Sequence, residues 1–113
     1  MSAITTHVLD TARGRPAGGV HVELEAFDGG SWRRVARGVT DSEGRLRSLM
    51  PQDSVLVRGV YRLTFDTASY FRTQNTPVFY PRVLVEFTVA EGESHYHVPL
   101  LLSPFGYSTY RGS

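Results

Sequence analysis

Apolar residues recur at every second position through most of this chain. Val20, Val22, Leu24 and Ala26 alternate with His21, Glu23, Glu25 and Phe27, the spacing of a strand that buries one face. Asp28-Gly29-Gly30 then supplies turn residues ahead of a second run from Trp32 to Thr40, and the pair predicts a hairpin. Asp41-Ser42-Glu43-Gly44 marks another turn and delivers Arg45 to the start of the next extended stretch. Val60, Tyr61, Leu63 and Phe65 predict a further strand, with Arg62 and Thr64 on its opposite face.

The period changes once. Asp66 is placed to cap a short helix near residues 67–74, and Pro77 forbids a long continuation. Alternation returns with Val83, Val85, Phe87 and Val89, closed by Glu91-Gly92-Glu93; His95 to Leu102 and Phe105 to Tyr110 are the last two predicted strands. Seven to eight short strands with frequent turns and one short helix predict an all-β fold, a β-sandwich.

Composition narrows the chemistry. With 113 residues the chain is expected to be one domain, too small to enclose a large pocket with ease. A site shared between subunits is a natural solution. The formal net charge of +1, with scattered arginines, argues against nucleic acid as a partner. All 12 basic residues are Arg and there is no Cys, which removes Schiff bases, thiol nucleophiles, disulfides and thiolate metal sites together. No apolar run approaches the roughly 20 residues that span a bilayer, and no signal-like segment precedes Thr5, so the expectation is a cytoplasmic protein without a membrane partner.

His7 lies on the first strand-like segment, and His95 and His97 share one face of a distant one. Taken alone, such histidines are commonly solvated or structural. Convergence would instead give a site for proton transfer, or three nitrogen ligands for a metal.

Thr5-Thr6-His7-Val8-Leu9-Asp10, the run from His95-Tyr96-His97-Val98-Pro99 to Ser103-Pro104, and the final Tyr110-Arg111-Gly112-Ser113 occur in this order. Together they resemble the 5-hydroxyisourate hydrolase family, the urate-pathway branch of the transthyretin superfamily. The likeness runs from Thr5 to Ser113 and implies one transthyretin-like domain over residues 1–113, a sandwich of two sheets. It implies that His7, Arg45 and His97 are catalytic and that His7, Arg45, Tyr110, Arg111, Gly112 and Ser113 bind substrate, leaving His95 a neighbour without an assigned role. Hydrolysis of 5-hydroxyisourate in urate degradation would proceed by water activated by histidine, with Arg45 holding the substrate and no cofactor or metal. The resemblance further implies a homotetramer, a dimer of dimers with sites at subunit interfaces. The rival expectation is a non-catalytic transthyretin-like carrier of a planar aromatic ligand, which has no need for imidazoles beside an arginine.

Overall fold

The computed structural model describes residues 2–113. Its elements are β1 (Ile4–Asp10), β2 (Arg15–Pro16), β3 (His21–Asp28), β4 (Ser31–Val39), β5 (Arg45–Leu46), β6 (Gly59–Phe65), α1 (Thr67–Arg72), β7 (Val83–Val89), β8 (Tyr96–His97), β9 (Leu100–Ser103) and β10 (Gly106–Thr109). One sheet runs β4-β3-β6-β7, all antiparallel. The other is organised around β1: β2 and β5 pair with it antiparallel, β8 and β9 pair with it parallel, and β10 closes the edge beyond β9. No helix among the described residues is long and apolar enough to cross a membrane.

The alternation read from the sequence is the burial pattern observed. Val20, Val22, Leu24 and Ala26 are buried, as are Leu63, Phe65, Val83, Val85 and Val89 opposite Ile4, Val8, Leu100 and Leu102. Apolar faces from the two sheets thus make one core, the arrangement expected of a sandwich. The β3–β4 hairpin turns at Gly29 and Gly30, with φ of 60° and 89°; two successive left-handed residues match the right-handed twist of the flanking strands. Leu84 and Phe27, on outward faces, stay exposed.

Two expected boundaries differ. The single strand expected from His95 to Leu102 is two, β8 and β9, separated by Val98-Pro99. Both keep the same register on β1, Ile4 beside Tyr96 and Val8 beside Leu100, so the strand direction persists where Pro99 has no N–H to donate. The helix stops at Arg72 rather than near residue 74. Turn bonds from Gln74 N to Phe71 O and Asn75 N to Arg72 O follow it, and Asn75 at φ 53° ends the helical course.

The Asp66 cap is present, its carboxylate accepting from the Ser69 N–H at 3.1 Å and the Ser69 hydroxyl at 2.7 Å. From α1 the Tyr70 hydroxyl reaches across to β1 and donates to the Asp10 carboxylate at 2.8 Å. Asp10 is 1% exposed and also accepts from the Arg13 N–H. Removing one donor from a buried carboxylate leaves it undersatisfied, so Tyr70→Phe is expected to cost about 1–3 kcal/mol in urea unfolding. An unchanged unfolding midpoint would show that this bond does not anchor the helix.

Candidate active site

β1 places its side chains alternately on the two faces of its sheet. Ile4, Val8 and Asp10 turn into the core, while Thr5 and His7 lie on the other face. Residues directly opposite on paired strands share a face. Arg45 on β5 stands opposite His7, and His97 on β8 stands opposite Thr5. Three strands distant in sequence therefore bring two imidazoles and a guanidinium onto one surface.

The position of Arg45 depends on the turn before it. The Asp41 carboxylate accepts from the backbone N–H groups of Glu43 at 2.9 Å and Arg45 at 3.0 Å, and Gly44 N–H donates to the Asp41 carbonyl. The Arg45 N–H bond, aided by that of Glu43 and the charges of Arg47 and Arg45, holds the Asp41 carboxyl below its ordinary value. Its contribution to the turn is present above the unfolded carboxylate value and is lost as pH falls through the depressed folded one. Gly44 sits at φ +75°, and its carbonyl accepts from Val8 N–H at 2.7 Å. A Cβ there would lie 2.3 Å from the Val8 carbonyl oxygen, so the Asp-x-x-Gly-Arg spacing has a mechanical basis.

The tail docks beside His97. Gly112 N–H donates to the His97 carbonyl at 2.8 Å in an isolated antiparallel bridge. A Cβ on Gly112 would come 2.6 Å from His97 Cδ2; glycine is required because the tail lies against the imidazole. Gly112→Ala is therefore expected to shift the ring or the tail and to lower turnover of the substrate proposed below roughly ten- to a hundredfold, since sub-ångström positioning governs rate. Its unfolding midpoint should hardly move. Wild-type turnover in this variant would show that the contact is incidental.

Thr5, Arg45, Arg47, His95, His97 and Ser113 are among the residues lining a cavity of about 420 Å³. His97 Nδ1 is 2.8 Å from Thr5 Oγ1. Burial, followed by the charges of Arg45, His7 and His95, pushes the His97 imidazole below its ordinary value. His7 stands beside this wall with Nε2 2.9 Å from the Glu43 carbonyl. A carbonyl only accepts, so Nε2 carries the proton and Nδ1 keeps the lone pair of the neutral ring. His95 Nδ1 likewise faces the Ser2 carbonyl, at 3.2 Å. Among the described residues no three His, Cys, Asp or Glu side chains are grouped so as to hold a metal ion, and the three-histidine arrangement considered above does not form.

The predicted residues thus divide. His7, Arg45, His97, Gly112 and Ser113 gather at one place. Tyr110 and Arg111 face a second cavity, lined also by Val85, Phe87 and Tyr96, where the Arg111 guanidinium lies 4.4 Å from the Tyr96 ring centre and 3.8 Å from Glu93. Sequence reading did not single out Thr5 or Arg47. The signal was available for Thr5, two residues before His7 on β1, where that spacing repeats a face; Arg47 lies just past the end of β5, where no strand periodicity points to it.

The sequence profile of the HIUase/Transthyretin family matches residues 4–112. A 5-hydroxyisourate hydrolase of Deinococcus radiodurans is 46% identical over 113 aligned residues, covering 97% of this chain and 95% of that protein. Among solved structures, transthyretin from Sparus aurata superposes with a TM-score of 0.91 at 35% identity, covering 99% of this chain and 97% of that one. Klebsiella pneumoniae 5-hydroxyisourate hydrolase gives 0.86 at 35% identity, covering 99% and 100%. Backbone similarity is thus shared between a transthyretin and a hydrolase, and side chains must separate the two. By sequence profile, relatives and fold alike, this chain belongs to the HIUase/transthyretin family.

Proposed function

We propose that this protein hydrolyses 5-hydroxyisourate to 2-oxo-4-hydroxy-4-carboxy-5-ureidoimidazoline in urate degradation, as a single transthyretin-like domain acting in the cytoplasm. The observation that carries this reading is the cavity wall in which His97, with its lowered proton affinity, stands beside Arg45 and the tail residue Ser113. Curated relatives that match along nearly the whole chain bear the name of this hydrolase, which supports the substrate assignment.

In this reading His97 donates Nδ1–H to Thr5 Oγ1 and turns the Nε2 lone pair to a water. The water oxygen bonds to the ring carbonyl carbon as Nε2 takes its proton. Arg45 meets the charge that develops on the carbonyl oxygen, which a guanidinium does by charge-assisted hydrogen bonds. The ring C–N bond then breaks, Nε2 passes its proton to the departing nitrogen, and the carboxyl group formed from the former carbonyl releases the second water proton to solvent as it becomes a carboxylate. His7, fixed by Glu43 in the tautomer with a free Nδ1, relays protons beside Arg45. Ser113 and Gly112 border the substrate.

A homotetramer, a dimer of dimers, places these sites between subunits. Phe105, Tyr107 and Tyr110 are 69%, 43% and 56% exposed near the open edge at β10. Open edges and exposed aromatics are surfaces that proteins cover. Tyr110 and Arg111 then contribute to substrate binding from a facing subunit, consistent with their pointing away from their own His97.

A depressed His97 value fixes the sign of the pH dependence. A base with pKa lowered from about 6.5 stays neutral to lower pH, so kcat/KM should hold constant down to that value and fall only below it. Stability moves the same way: the unfolded imidazole protonates first, so folding weakens as pH drops below the ordinary imidazole value. A pH–rate profile with an acid limb centred above pH 6.5 would remove His97 from the role of base.

A further inference from the structure

Arg47 is a second guanidinium in the wall that already holds Arg45, and the residues lining this cavity include no Asp or Glu. Arg47 directly follows the two-residue strand β5, two positions after Arg45. The side chain is only loosely engaged. Its Nη2 stands 3.8 Å from Glu43 Oε1, with the two side chains 56% and 69% exposed. A pair that long and that wet contributes little and separates readily. Main-chain bonding fixes the base of the residue, since Ser2 N–H donates to the Arg47 carbonyl at 2.9 Å. The result is an anchored stem with an exposed, weakly paired cationic head in the cavity wall.

Two guanidinium groups thus stand in one wall, where polarising one carbonyl requires a single one. Ring opening, on the hydrolase reading from which this inference starts, converts a carbonyl into a carboxylate and so generates an anion inside the wall. We propose that Arg47 is a specificity-determining residue that leaves Glu43 to take up the carboxylate of a ring-opened, product-like anion, while Arg45 serves the reacting carbonyl. Glu43 is its competitor for the same guanidinium. Arginine suits this exchange because its fork meets a carboxylate with two parallel hydrogen bonds.

Calorimetry on the intact protein tests this with two probes of one shape, hydantoin-5-acetate and the neutral hydantoin-5-acetamide. The wild type should prefer the anion by about tenfold or more, the ratio that one well-formed charge-assisted contact supplies. Arg47→Gln should abolish most of that preference while changing amide affinity little, and Arg47→Lys should restore part of it. Glu43→Gln should raise anion affinity by freeing the guanidinium, a change that a merely structural Arg47 would not produce. Equal wild-type affinity for the two probes, or a preference untouched in Arg47→Gln, overturns the proposal. Because calorimetry involves no turnover, the two readings fail separately. Hydrolysis without an Arg47-dependent preference removes this role alone, and the preference without hydrolysis removes the product assignment and the hydrolase reading with it.

Discussion

Replacing His97 by Ala is expected to lower kcat for 5-hydroxyisourate by about 10²- to 10⁴-fold, the range that a positioned general base contributes. Binding of a planar substrate analogue should change much less. His97 meets Thr5 through one ring nitrogen and leaves the other for the cavity, while Arg45, opposite His7 on β5, remains to hold the substrate. Folding should survive, because His97 is only partly buried and sits at the end of a two-residue strand. The decisive readout is a split between rate and binding, measured by stopped-flow decay and by titration with the analogue. A variant that turns over at the wild-type rate would take His97 out of the chemistry and leave His7 as the base.

Gly44→Ala is the second large effect, and it acts through the fold. The new methyl would meet the Val8 carbonyl at 2.3 Å, at a backbone φ of +75° that disfavours any side chain. Strain of this kind costs about 1–3 kcal/mol before the steric overlap is counted. The loss should appear both in unfolding and in rate, because the Gly44 carbonyl pairs with Val8 and fixes Arg45 opposite His7. Gly29→Ala offers the contrast: that glycine has open space around its Cβ position and φ of +60°, so it should lose some stability and no turnover. If Gly44→Ala matched Gly29→Ala in both measurements, the turn would not be what positions the arginine.

The sandwich was legible because its strands keep period two over long runs. Val20 to Ala26 and Val83 to Val89 each expose one face and bury the other, and no local preference competes with that pattern. Boundaries blurred where the backbone loses a donor, as at Pro99 between β8 and β9. The short pairings β2 and β5, of two residues each, carry too little periodicity to read; they exist because β1 offers free backbone groups. Of the candidate site, the imidazoles and Arg45 were legible as motifs, whereas the register that brings them together is a property of three strand pairings. The resemblance assigns all four tail residues, Tyr110 to Ser113, to substrate binding. Within one chain Gly112 locks to His97 while Arg111 turns to Tyr96 and Glu93, because consecutive residues of an extended chain point to opposite sides.

Transthyretin and the hydrolase share this backbone, and a transthyretin from sea bream is known in complex with thyroxine. Fold alone therefore leaves enzyme and carrier open. The difference must lie in whether bound substrate is consumed. The most direct test follows the ultraviolet absorbance of 5-hydroxyisourate, freshly made from urate with urate oxidase, with and without this protein. The account predicts decay far faster than the spontaneous background, proportional to protein concentration. Decay at the background rate, with the compound retained on the protein, would contradict it and identify a carrier.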